Sequence, residues 1–168
     1  MSGMGDAHPP IEVVEADLAL PEHQRAVVEM EDAYALDGFG NGRPLEDDVR
    51  ERLVEGLREH PTTVILLAYD GPRPVGIATC FRGFSTFAAR PILNLHDLAV
   101  IPACRGRGIG GLLLSAVETK ARSLGCAKVT LEVLEGNDLA RRLYTAMGFT
   151  SPDHGNGAGQ VLFLSKQL

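Results

Sequence analysis

Apolar positions recur along the chain in two periods, and the switch between them predicts the elements. Residues 11–16 alternate apolar and polar, as a half-buried strand does. Ala26, Val27, Met30, Ala33 and Tyr34 repeat at helical spacing and predict a helix over about 21–36, with Pro21 in its first turn. Gly38, Gly40, Gly42 and Pro44 interrupt it. A second helix, acidic at its start and apolar at Val49, Leu53, Val54 and Leu57, is predicted to run to about residue 59. A β-prone run at 62–69, a turn at 70–74 and a second run at 75–84 make a hairpin. A loop with Ser85 and Thr86 then leads to a strand at 92–100. From there the pattern becomes helix (108–124, stopped by Gly125), strand (129–134), helix (137–147) and strand (160–165). Hairpins followed by a β-α-β unit predict a mixed α/β (α+β) fold, with a mostly antiparallel central sheet and helices on both faces.

The length of 168 residues suits one domain at the usual ~100 to 200 residues per domain. A content of 45% hydrophobic and 23% charged residues excludes a disordered chain or a coiled coil. The net charge of −6 gives general binding to nucleic acid or an anionic membrane no electrostatic basis. That figure hides an asymmetry: residues 1–60 hold 15 acidic and 5 basic side chains, and residues 61–168 hold 7 and 11. The two parts thus point to an anionic ligand for one and a cationic ligand for the other. Apolar stretches such as 64–69 and 110–114 fall short of the ~20 residues a bilayer span needs. The first ten residues lack a basic and then apolar leader pattern and are expected to be flexible. Cys80, Cys104 and Cys126 have no zinc spacing and no activating neighbours, so they read as small buried hydrophobes in a reduced, cytoplasmic setting, and no metal is expected.

The densest chemical signal is Arg105-Gly106-Arg107-Gly108-Ile109-Gly110-Gly111, between a predicted strand and the start of a helix. A helix N-terminus presents unpaired N–H groups and the positive end of the macrodipole, which together attract phosphate. Glycines permit close approach, and Arg105 and Arg107 can add charge-assisted hydrogen bonds. Gly106, Gly108 and Gly111 also satisfy the dinucleotide-binding spacing. That match is weak, because 102–105 separate the turn from its strand and Glu132 or Glu135 comes late for a ribose-binding acid.

Arg105-x-x-Gly108-x-Gly110, preceded by Leu98-Ala99-Val100-x-Pro102 and followed by Asn137-x-x-Ala140-x-x-x-Tyr144-x-x-x-Gly148-Phe149, resembles the acetyl-coenzyme A signature of the GNAT N-acetyltransferase superfamily. The stretch from Phe84-Ser85-Thr86 through Asp97-Leu98 to Gly110 is similar to diamine acetyltransferases and their bacterial relatives. The resemblance implies one acetyltransferase domain over 1–168, with acceptor-side helices at 17–60 and an acetyl-CoA-binding core at 91–149. It implies a sheet that splays at the strand of Leu98, Ala99 and Val100, with a bulge at Ala99 and Val100 leaving backbone groups to pair with the pantetheine arm. An N–H among these residues would polarise the thioester carbonyl. Arg105, Gly106, Arg107, Gly108, Ile109, Gly110 and Gly111 would hold the pyrophosphate, Asn137 would touch the coenzyme, and Tyr144 would protonate the departing thiolate.

The amine must be neutral to attack, so a base is needed. Where diamine acetyltransferases carry a glutamate before the Asp-Leu pair, this chain has His96; arylalkylamine acetyltransferases carry a histidine there. Histidine suits general-base work at neutral pH, which makes His96 the leading candidate. Simple alternation places Asn94 and His96 on one face and Asp97 on the other, so either His96 faces the acceptor or Asp97 is the base or ammonium anchor. Glu132 beside the splay is a further candidate for orienting the amine. The acceptor would be covered by a region holding Glu31, Asp32, Asp37, Asp47 and Asp48, with Tyr34 and Phe39 as an apolar surface. The expected activity is acetyl transfer from acetyl-CoA to a primary amine in a ternary complex, with a homodimer allowed; the alternative is a non-catalytic acyl-CoA-binding sensor or regulatory module.

Overall fold

The structure, a computed structural model, describes residues 10–151 and 166–167. Among these residues, five strands form one sheet in the order β1-β2-β3-β4-β5: β1 (Glu12–Glu15), β2 (Thr63–Asp70), β3 (Arg73–Ser85), β4 (Arg90–Val100) and β5 (Val129–Leu131). The first four pair antiparallel and β5 joins β4 in parallel. Helices α1 (Pro21–Leu36) and α2 (Asp47–Glu59) lie between β1 and β2, α3 (Ile109–Ser123) between β4 and β5, and α4 (Asp138–Ala146) after β5. The β2–β3 turn is tighter than the sequence suggests, because Asp70 pairs with Arg73 and Gly71 supplies the positive φ that a two-residue hairpin turn requires.

The unbroken apolar run of β2 follows from burial on both sides. Val64, Leu66 and Ala68 belong to a core packed under α3, with Leu113, Leu114 and Val117, whereas Ile65 and Leu67 join Val27 and Met30 of α1 and Ile77 of β3. Helices therefore cover both faces, as the pattern predicts. Cys80 and Cys104 are buried, and burial pushes the Cys80 thiol up to about 12, so that residue packs as a hydrophobe.

Three expectations need correction in register. The bulge in β4 is at His96, three residues earlier than Ala99: Thr79 pairs with Asp97 and the next residue, Cys80, pairs with Leu95, leaving His96 as the extra residue. Asn94 and Asp97 consequently share a face, opposite Phe81 and Thr79, where simple alternation had separated them. Strand β5 ends at Leu131 and not at 134, because its pairing with β4 runs only from Leu93↔Val129 to Leu95↔Leu131. Glu132 thus stands exposed beyond the strand end. Past Leu95, the β5 side of β4 has no partner strand among the described residues, which leaves Leu98, Ala99 and Val100 as an open edge. The strand predicted at 160–165 lies outside the described residues. No described helix is long and apolar enough to cross a membrane.

Candidate active site

The glycine-rich turn gives α3 an N-terminus that no side chain caps. Gly106 and Gly108 take φ of +78° and +79°, the left-handed region, so the chain can reverse from the Pro102–Cys104 turn into the helix. The first bond from the helix back to its cap is Leu112 N–H to Gly108 O, at 3.1 Å. The N–H groups before Leu112 are left for an outside acceptor, as at any helix start. A Cβ built on Gly106, Gly108 or Gly111 would meet nothing within 4 Å, so the turn borders open space. That space is a cavity of ≈ 350 Å³ whose wall includes the turn, Leu98, Ala99 and Val100 of β4, Asn137 and Tyr144 of α4, and Tyr34 of α1. The residues expected to hold coenzyme, Arg107 apart, thus meet around one cleft.

Gly110 faces a different constraint, since its Cβ would come within 2.9 Å of Leu143 Cδ2. Contact this close seats α4, the helix of Asn137 and Tyr144, against α3. Gly110→Val is expected to cost about 1–3 kcal/mol through overpacking, read as a lowered urea midpoint. An unchanged midpoint would mean that α4 shifts freely.

Both arginines of the turn are engaged within the protein. Arg105 donates from Nε to Val100 O at 2.9 Å and from Nη2 to Asp37 Oδ2 at 2.5 Å. The Asp37 carboxyl is held below its ordinary range by the Phe39 N–H and by Arg105. Arg107 donates to Asp70 Oδ2 at 2.6 Å and, at 3.7 Å, to the Cys104 sulfur, and it stands off the cavity wall. Asn137 caps α4, its Oδ1 accepting from Ala140 N at 3.2 Å. Tyr144 packs its ring edge-on against Phe149, 5.8 Å between centroids, and its hydroxyl makes no hydrogen bond among the described residues. Burial, with Tyr34 as a second contribution, pushes its phenol up to about 12. It therefore holds its proton at neutral pH, as a general acid must.

The other half of the site lies where α1 crosses β3 and β4. The bulge brings Asp97 to the face of Thr79, and the ring of His96, itself exposed, touches Phe81 of that same face at 5.6 Å. His60, which follows α2, packs on Phe81 at 4.9 Å. Burial raises the Asp97 carboxyl, an effect the charge of His96 opposes. The acidic region resolves into pairs: Asp32 binds Arg50 at 3.0 Å, Asp37 binds Arg105, Asp47 meets Arg50 at 3.5 Å and Asp48 binds Arg52 at 2.6 Å. Glu31 differs. It is only 8% exposed, and its carboxylate accepts from Thr79 Oγ1 at 2.5 Å. Burial first, then the charge of Asp97, raises it from 4.5 to about 7 against the opposing Thr79 bond.

Such a raised carboxyl ties stability to pH with a definite sign. The folded chain binds its proton more tightly than the unfolded one, so the contribution is full below 4.5 and lost as pH rises through about 7. Between pH 4.5 and 8, the wild type should lose on the order of 3 kcal/mol more than Glu31→Gln, read from urea midpoints at both pH values. A difference that stays flat with pH would remove the buried, protonated Glu31.

Thr79 was absent from the sequence-derived candidates, although it is the one hydroxyl in the apolar run 75–81. Glu31 had a signal as well: it falls four residues after Val27, on the apolar stripe of α1. Among the described residues, no group of three or more His, Cys, Asp or Glu stands where it could hold a metal ion.

Comparison with known proteins bears on the family and the fold. A Bacillus subtilis (strain 168) protein described as uncharacterized N-acetyltransferase YhfO is 33% identical over 99 residues, or 59% of this chain and 66% of its own length. Thialysine N-epsilon-acetyltransferase of Bos taurus is 34% identical over 118 residues, 70% of this chain and 63% of its own length. The chain thus spans just under two thirds of each relative. In fold it is similar to the aminoglycoside acetyltransferase AAC(6')-Iy, solved with the bisubstrate analogue CoA-S-monomethyl-acetylneamine, at a TM-score of 0.73 and 16% identity over 95% of this chain and all of that one. The model of the acetyltransferase (GNAT) family matches residues 26–149, from α1 and its buried Glu31 through the glycine-rich turn to Phe149, and on that match the chain belongs to this family.

Proposed function

We propose that this protein binds acetyl-CoA and transfers the acetyl group to a primary amine by direct attack in a ternary complex. The observation that carries this reading is one cleft that, among the described residues, joins an uncapped, glycine-lined helix N-terminus to an open strand edge and an unengaged tyrosine hydroxyl. The fit to the coenzyme rests on chemistry present in the chain. Free amides at the turn suit a pyrophosphate, and the positive end of α3 adds to them. The open edge at Leu98, Ala99 and Val100 offers backbone groups to the amides of a pantetheine arm. Arg105 and Arg107 add positive charge at the flanks, although their present partners leave the backbone as the principal ligand. Asn137 keeps its side-chain N–H groups for the coenzyme while its oxygen caps α4.

The coenzyme, when bound, supplies the acetyl group as a thioester. The chain's own residues then do two kinds of work. On one side Tyr144 gives its phenolic proton to the departing thiolate. On the other, Asp97 removes a proton from the incoming ammonium, and His96 at the exposed bulge passes it to water. An N–H of the β4 edge stabilises the charge that develops on the carbonyl oxygen. No acyl carrier is needed, because the pocket cysteine, Cys104, is buried and engaged by Arg107.

Release of free thiol from acetyl-CoA across a panel of primary amines tests the reading. Turnover on at least one amine supports it. Tight coenzyme binding with no release on any amine would instead mark a non-catalytic acyl-CoA-binding module.

A further inference from the structure

The site contains one acidic group that this mechanism leaves unused, and it is the most deeply buried acid described. Glu31 comes from α1, and its carboxylate takes the hydroxyl of Thr79, itself 2% exposed, on β3. Thr79 pairs directly with Asp97 across β3 and β4, so the two side chains rise from the same face about 5 Å apart. Three elements thus bring two carboxyl groups to one hydroxyl. No lysine or arginine pairs with Glu31 or Asp97 among the described residues, in contrast to Asp32, Asp37, Asp47 and Asp48. A buried acid without a cation is costly unless it serves a purpose or holds its proton.

We propose that Glu31 is a positioning residue for the acceptor's proton, acting on Asp97 across the Thr79 contact so that Asp97 becomes the group that takes a proton from the substrate ammonium. This inference rests on the acetyl-transfer reading and deepens it. The titratable groups facing the pair are Tyr34 from α1 and His96 from β4, with the Thr79 hydroxyl between them; Cys80 lies on the opposite face of β3, in the core under α3, and Tyr144 of α4 lies beyond Tyr34. His96 is the one basic side chain of this set, and it is exposed. Two neighbouring carboxyls in such a setting release their protons in two steps that belong to the pair. With both ionised, each raises the other's affinity for a proton. The proton step balances: one N–H bond of the ammonium breaks, its electron pair stays on nitrogen, one O–H bond forms at Asp97, and the proton leaves by way of His96. The raised Glu31 carboxyl, near 7, is consistent with this arrangement.

The test is a carbon-13 carboxyl titration of the full chain without substrates, for wild type, Asp97→Asn and Thr79→Val. Removing the Asp97 charge should move the Glu31 midpoint down by about one pH unit or more. Removing the Thr79 hydroxyl, which favours the ionised form, should move it up. Opposed shifts establish that the two carboxyls and the hydroxyl are coupled; the kinetic arm separates a positioning role from a structural one. The kinetic arm is Glu31→Gln, in which kcat/KM for the amine should lose its rise with pH through neutrality while KM for acetyl-CoA stays unchanged. A Glu31 midpoint identical in wild type and Asp97→Asn, or an unaltered pH profile in Glu31→Gln, overturns the inference while the transferase reading stands. Wild-type protein inert toward every amine removes both the transferase reading and the proton role, so the two failures are distinguishable.

Discussion

Tyr144→Phe is expected to lower kcat about 10²- to 10⁴-fold, the span usual for a positioned general acid, with acetyl-CoA affinity almost unchanged. The substitution removes one oxygen and leaves the ring, so the edge-on packing against Phe149 and the seat of α4 persist. No hydrogen bond within the described protein is lost, because the hydroxyl makes none. Any effect must therefore arise from what the hydroxyl does to a reactant. The phenol is pushed up to about 12, so wild-type rate should show no fall from its ionisation between pH 7 and 10. Steady-state thiol release and coenzyme binding by calorimetry check both statements. Turnover equal to that of wild type would remove Tyr144 as the acid and leave it a packing residue.

The elements most legible in the sequence are those fixed by neighbouring residues. Helix α1 is delimited by Pro21 at its start and the glycine cluster after Leu36, and the structure places it at Pro21–Leu36. The glycine-rich turn is equally local, since Gly106, Gly108 and the start of α3 lie within five residues. What resists reading is whatever depends on two distant segments. The bulge at His96 is a property of β4 measured against β3, so alternation along β4 alone assigns Asp97 to the wrong face. The partners of the two arginines are likewise remote: Arg105 meets Asp37 across 68 positions and Arg107 meets Asp70 across 37. Charge counting divides the chain into a basic half and an acidic half, but it could not show that Asp32, Asp37, Asp47 and Asp48 already hold arginines.

These long-range pairs also tie the two sides of the cleft together. Asp37 ends α1, accepts from Phe39 N at 2.9 Å and holds Arg105, which in turn reaches Val100 O on the open edge. One guanidinium thus joins the end of α1, the glycine-rich turn and the strand edge. Electrostatic strength at this exposed contact is modest and salt-dependent. Its geometric role is larger, because Asp37, Val100 and Arg105 all line the same cavity.

Asp97→Asn and His96→Ala separate the two candidates for the base, and the larger loss is expected in the first. Asp97 is half-buried on the face of Thr79, where a carboxylate gains proton affinity from burial against the opposing charge of His96. Asparagine keeps the shape but cannot take a proton, so kcat/KM for the amine should fall about 10²- to 10⁴-fold. His96 is exposed at the bulge, its ring lying against Phe81, and water can relay a proton in its place. Its loss should therefore cost less than about tenfold, because an alternative exit remains. Both variants should keep wild-type affinity for acetyl-CoA, since neither residue lines the cavity under the glycine turn. If His96→Ala loses more than Asp97→Asn, the histidine is the base and the bulge serves to turn its ring toward the amine.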